Sequence, residues 1–219
     1  MDAPERRGNL AWALVAGALM VLLELVFFAG LVTRGWAERV RVTEAAWLAE
    51  GVGPDTARWV TRTAAESYDR LVVRPGLVRA SYEFFLPSGP DRAHDRGFEA
   101  LADHGLLPFV RDRLNVVWGA LHQALQRLLL LVAWGPFLAL LLTGALAEGL
   151  VRRRIKQAGF GYTSPLRHRT AYGGTLAAGI ATGIGLFLPL PVPPLAAPAL
   201  GAVLGLCLVG LLADAPKRM

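Results

Sequence analysis

The stretch Leu128-Leu-Leu-Leu-Val-Ala-Trp-Gly-Pro-Phe-Leu-Ala-Leu-Leu-Leu-Thr-Gly-Ala-Leu-Ala147 decides the fold class of this 219-residue chain. It carries no charge from end to end. As a helix, a run of this length crosses the roughly 30 Å of hydrocarbon in a bilayer. Just after it come Glu148 and Arg152-Arg-Arg-Ile-Lys156. Such charges are costly in hydrocarbon, so they mark where the apolar layer ends.

Working outward, three more blocks qualify. Leu10 to Val32 is broken only by Glu24, and Tyr172 to Leu188 and Leu195 to Ala213 follow the basic stretch. Between the last two lies Pro189-Leu-Pro-Val-Pro-Pro194. Proline has no N–H for a helix ladder, so this run forces a tight turn and the two blocks read as a helical hairpin. The first block exceeds the roughly 7–15 apolar residues of a signal peptide, and no small-x-small site follows Val32, so it reads as an uncleaved anchor.

Composition agrees with this segregation. Hydrophobic residues make up 54% and charged residues 18%, and mean hydropathy is +0.42. The formal net charge is +6. In a chain with apolar spans, a basic balance reports topology before it reports nucleic acid. The single Cys207 excludes an intramolecular disulfide and any cysteine-based metal cage.

Arginine placement sets the orientation. Residues 1–9, 148–171 and 214–219 hold Arg6, Arg7, the basic stretch, Lys217 and Arg218, and are expected in the cytoplasm. Residues 33–126 nearly balance Arg against Asp and Glu and are expected outside, with the uncharged turn 189–194. The expected spans are 10–32, 127–147, 172–188 and 195–213. The fold class is therefore an all-α membrane protein with four transmembrane helices and a small helical extracytoplasmic segment between the first two.

Within 33–126, Trp36 to Leu48 has amphipathic spacing, and Gly51-Val-Gly-Pro54 should stop it. A second helix is expected from Asp55 to Val73, a turn at Arg74-Pro-Gly, and a short helix from Leu77 to Leu86. From Pro108 onward Val110, Leu114, Val117, Trp118, Leu121 and Leu125 recur at helical spacing. This stripe predicts one long helix running on through the second span.

Few residues suggest chemistry. Glu24, alone inside the first span, costs several kcal/mol there unless it is protonated or paired. It reads as a neutral acid bonded to Thr182 or to a carbonyl freed by Pro136, with a proton or ion relay as the rival role. Gly179-x-x-x-Gly183 and Gly201-x-x-x-Gly205 make flat faces for helix packing and leave room for a second copy of the chain. Arg152, Arg153, Arg154, Lys156, Arg167 and Arg169 form a basic loop for orientation, for anionic lipid or for a cytoplasmic protein. His94, His104, His122 and His168 lack metal-ligand spacing. No phosphate loop, nucleophile elbow or paired-carboxylate pattern occurs. No enzymatic activity, metal or cofactor is expected. Trp12 and Trp36 read as interface anchors of the first span.

The run Ala145-Leu-Ala-Glu-Gly-Leu-Val-Arg-Arg-Arg-Ile-Lys-Gln-Ala-Gly-Phe-Gly-Tyr-Thr-Ser-Pro-Leu-Arg-His-Arg-Thr-Ala171 resembles a membrane-protein family encoded on integrating conjugative elements, whose domain is of unknown function. The order of anchor, outer segment, span, basic loop and closing hairpin is also similar. In that family an acidic residue precedes the serine where this chain has Thr163. The resemblance implies a non-enzymatic inner-membrane accessory of a conjugative, type IV secretion-like apparatus in a Gram-negative bacterium. Its implied partners are the lipid bilayer and conjugation proteins such as a coupling ATPase, without direct nucleic-acid binding. The rival reading is a small transporter or channel subunit working through Glu24.

Overall fold

Glycine and proline place the helix boundaries in the computed structural model, which describes residues 30, 32–86, 106–159 and 165–214. Among these residues there are seven α-helices and no strand. Helix α1 (Arg34–Val52) stops at Gly53, whose φ of 81° is open to glycine at little cost. Pro54 then opens α2 (Pro54–Tyr68), where a missing N–H is harmless in the first turn. The chain winds on as a π turn, Asp69–Val73, closed by the Arg74 N–H donating to the Asp69 carbonyl at 2.8 Å. The Arg74 Nε also donates to Asp69 Oδ2 at 2.7 Å, so side chain and backbone clasp the same five-residue ring. Gly76, at φ 80°, leads into α3 (Leu77–Phe85). The remaining helices are α4 (Leu106–Ala133), α5 (Gly135–Ala158), α6 (Pro165–Phe187) and α7 (Ala196–Ala213).

The long helix expected from Pro108 onward is divided at Trp134. Pro136 has no N–H to offer the Val132 carbonyl, which interrupts the ladder. The Trp134 N–H still reaches the Leu130 carbonyl at 3.1 Å, and the Leu138 N–H reaches Trp134 at 2.9 Å. The break is therefore a proline bend, and the expected second span, 127–147, runs across it. Among the described residues three helices are long and apolar enough to cross a membrane: Leu107–Ala133, Gly135–Ala158 and Ala196–Ala213. Helix α6 carries the expected third span but is not in that set. The first apolar block lies outside the described residues except for Gly30 and Val32.

The described residues form two compact units. One draws on 32–46, 61–86, 106–126 and 187–191. Its core is small: Val32, Val116 and Ala120 are buried, with Ala37 and Phe187 against them. Polar links supplement this core. Tyr82 Oη donates to Asn115 Oδ1 at 2.6 Å, Trp118 Nε1 to Ser81 Oγ at 3.1 Å, and Gln123 Nε2 to Glu44 Oε2 at 2.8 Å.

The other unit draws on 47–60, 127–159, 165–186 and 192–214. Here glycines bring helices together. A Cβ on Gly201 would collide with the Leu138 side chain. On Gly205 it would stand 2.9 Å from Leu141 Cδ2, and on Gly149 2.8 Å from Leu212 Cβ. Numbers rise together along both partners, so α5 and α7 run parallel. Between α6 and α7 the order reverses. Gly174 abuts the Cys207 thiol and Gly210 abuts Ala171, which makes these helices antiparallel. Much of the apolar surface faces away from the protein, as at Leu140, 76% exposed.

Candidate functional site

The register of the three long helices gathers the basic residues at one end of the second unit. Lys156, two residues before the end of α5, places its Nζ 2.5 Å from Asp214 Oδ1, and Asp214 caps the C-terminus of α7. The Asp214 side chain is only 3% exposed, so this is a largely desolvated ion pair. Arg152 Nε donates to Glu148 Oε1 at 2.6 Å, one turn back on α5. Arg153, Arg154 and Arg169 meet no acidic partner among the described residues. Arg167 and Arg169 are exposed in the first turns of α6, flanking His168, whose Nδ1 is buried with no hydrogen-bond partner there. The centre of the loop, 160–164, lies outside the described residues.

Arg127 marks the opposite end of this unit. Arg127, 7% exposed, donates from Nη1 to the carbonyls of Gly185 at 2.8 Å and Leu186 at 3.2 Å. The last carbonyls of a helix have no partner within it and carry the negative end of its dipole, so a guanidinium there satisfies both needs. Sequence reasoning gave Arg127 no role; it fell inside the expected span 127–147. A signal was present, since no acidic residue lies within a turn of it. An arginine beside an apolar block must then find carbonyls.

In the first unit a groove of about 310 Å³ is lined by Arg34, Arg41, Tyr68, Asn115, His122 and Gln123, among others. Tyr68 meets His122 edge to face, with ring centroids 5.3 Å apart. Burial pushes the Tyr82 phenol above its usual range, while the nearby Arg111 and Arg34 pull it down. Tyr82 is therefore a neutral donor to Asn115 at physiological pH. Helix α3 turns Ser81 and Tyr82 toward α4, leaving Phe84 78% exposed. Trp36, expected as an interface anchor, donates its Nε1 to the Pro189 carbonyl at 2.6 Å.

The other expected site residues are dispersed. Glu24, Trp12, His94 and His104 lie outside the described residues. Thr182 Oγ1 donates to the Ala178 carbonyl at 2.8 Å within its own helix. Gly201 and Gly205 face α5, while a Cβ on Gly179 or Gly183 would meet nothing within 4 Å among the described residues. The glycines bringing the two arms of the hairpin together are Gly174 and Gly210, which the four-residue spacing did not single out. No group of three His, Cys, Asp or Glu is placed to hold a metal ion among the described residues.

A family model described as "DtrJ-like: IncC plasmid conjugative DNA transfer protein DtrJ-like" matches residues 34–213. The chain belongs to the DtrJ-like family. No curated protein and no solved structure matches it. The DtrJ-like match takes in both units, the basic residues of α5 and α6, and Arg127. It begins after Glu24 and ends just before Asp214. Involvement in conjugative DNA transfer follows from membership of the DtrJ-like family, in agreement with what the Ala145–Ala171 run implied.

Proposed function

We propose that this chain is a non-enzymatic inner-membrane scaffold of a conjugative, type IV secretion-like DNA-transfer apparatus. It crosses the membrane four times with both termini in the cytoplasm, holds 33–126 in the periplasm, and presents the Arg152–Arg169 segment to a cytoplasmic partner. The family supplies the process. The observation that carries the membrane role is the apolar layer of the second unit, bracketed by cations. A 24-residue helix is about 36 Å long, enough to cross roughly 30 Å of hydrocarbon. At one end Arg127 caps α6, and at the other Arg152–Lys156 and Arg167–Arg169 gather. Between them the exposed side chains of α5 and α7 are mostly aliphatic. Water would penalise such a surface, whereas hydrocarbon accommodates it. The element is an integrating conjugative one, as the Ala145–Ala171 run implies, and a coupling ATPase is the partner expected by analogy.

The test is purification of a tagged full-length copy from membranes of mating donor cells in mild detergent, with mass spectrometry of what accompanies it. Secretion-channel or coupling-ATPase subunits should be recovered with it. Recovery of the protein by itself, from donors whose transfer is unchanged when its gene is deleted, would overturn the scaffold reading.

A further inference from the structure

Between Leu114 and Gln126, where α4 gathers the helices of the first unit, its one ionisable side chain is His122. The helix is packed around it: Ala120, Gln123 and Ala124 are buried, and His122 is half-buried. Its ring meets Tyr68 of α2 edge to face, with centroids 5.3 Å apart. Helix α1 meets the same stretch of α4. Gln123 donates to Glu44, and Arg113 donates to the Val32 carbonyl, so α1 and α4 run parallel. Arg41, three residues before Glu44, therefore stands beside the turn of α4 that carries His122, and both line the groove together with Arg34. Three helices meet at this ring. A proton placed on it would find no free counter-charge. No acidic residue lines the groove among the described residues. On α1, Glu44 is engaged by Gln123 and Glu38 by Arg41, and on α4 Asp112 is engaged by Arg34. Tyr68 on α2 and Tyr82 on α3 are held neutral by burial. Asp69 in the π turn is clasped by Arg74, and the Arg62–Glu66 pair of α2 lies outside the groove. Burial first, and then the charge of Arg41, disfavour the imidazolium.

We propose that His122 is an acid-sensitive latch: as a neutral ring it holds α1 and α2 against α4, and once protonated it is repelled by Arg41 and releases them. Above its ordinary value of 6.5 the imidazole is neutral in the folded and the unfolded chain alike. As pH falls below that value the unfolded chain takes up the proton first. The latch's contribution to stability is therefore complete above 6.5 and is lost as pH falls through the lowered folded value. The latch goes beyond the scaffold reading. The topology proposed there decides only which compartment supplies the proton, and with 33–126 outside the cytoplasm the acidity sensed is that of the periplasm.

The full chain in detergent, carrying carbon-labelled histidine, is titrated by NMR. Of the four histidine signals, the one missing from His122→Gln belongs to His122. It should titrate below 6.5. Arg41→Gln, which removes the repelling charge and should leave the fold intact, should move it upward, whereas Arg62→Gln, outside the groove, should not. Thermal melts and hydrogen exchange at about pH 8 and about pH 5 then read the release. Wild type should lose melting temperature at the lower pH, with exchange rising in α1 and α2 beyond the intrinsic effect of pH. His122→Gln should lose less melting temperature than wild type and show no such rise. A His122 signal at or above its ordinary value, no response to Arg41→Gln, or an acid loss in His122→Gln equal to that of wild type would overturn the latch. The titration contains no partner protein, so its failure leaves the purification test of the scaffold role standing, and the converse also holds.

Discussion

The two units join helices by different means. In the first, α3 and α4 meet through Tyr82–Asn115 and Ser81–Trp118, and α1 and α4 through Glu44–Gln123, over a core of valine and alanine. In the second, glycines let α5, α6 and α7 approach, and charges are confined to the ends. The contrast follows from the solvent each sequence suits. A small helical unit in water buries little apolar surface, so directional hydrogen bonds between helices choose one packing from several. In lipid the outside is as apolar as the inside. Association then depends on close packing, and polar groups retreat to the boundaries. The Lys156–Asp214 tie combines the two modes, since it is a charged link placed at a boundary.

That tie should yield the largest effect. Asp214→Ala leaves an ammonium that is only partly exposed without its carboxylate, and removing one partner of a buried pair costs about 3–5 kcal/mol. Thermal unfolding of the protein in detergent should show the loss. Replacing both residues by methionine and leucine should recover much of it, because the pair's own desolvation is then removed as well. A single substitution without effect would mean that the bundle end is wet, and the contrast between the units would weaken there.

The glycines give the next largest effect, and they divide by what they face. Gly201→Val must displace Leu138 and should cost about 1–3 kcal/mol through overpacking. Gly183→Val, with nothing within 4 Å among the described residues, should be near neutral in the isolated chain. Melting temperatures of the two variants in one detergent decide the matter. A large loss at Gly183 would reveal a packing partner on that face of α6.

Much of this architecture was legible in the sequence, for identifiable reasons. The stops at Gly53 and Gly76 and the proline turn could be read because backbone constraints act locally. The apolar blocks were legible because bilayer thickness imposes a length. Pro136 was noticed, but its break in the ladder was not carried into the expected helix. The Gly-x-x-x-Gly pattern marked Gly201 and Gly205 but not their partner: they face α5, the helix parallel to them, and spacing within one helix does not encode which neighbour it meets. For the same reason the division of the basic loop was hidden. Only the register between α5 and α7 brings Asp214 to Lys156 across 58 residues of sequence. The cross-links of the first unit were hidden likewise, since Tyr82 and Asn115 are polar residues on separate helices with no shared motif.

The smallest effect tests whether those polar cross-links hold the first unit. Tyr82→Phe removes one neutral hydrogen bond at a partly exposed site, which should cost about 1 kcal/mol near neutral pH. The pH dependence carries the sharper information. Burial raises the Tyr82 phenol above its ordinary value of 10.0, so the folded protein favours the neutral form more than the unfolded chain does. Tyr68 is shifted the same way, first by burial and then by Tyr82. The stabilisation is therefore complete below that ordinary value and is lost as pH rises through the raised one. Near-ultraviolet circular dichroism melts at about pH 8 and about pH 11 bracket the titration of a tyrosine. Wild type should lose more stability between the two than Tyr82→Phe does, because the variant no longer carries one of the two phenols raised by burial. If both lose equally, Tyr82 is solvated in the folded state. The first unit would then be held mainly by Val32, Val116 and Ala120, and the two regions would differ less in kind than in how much apolar surface each one buries.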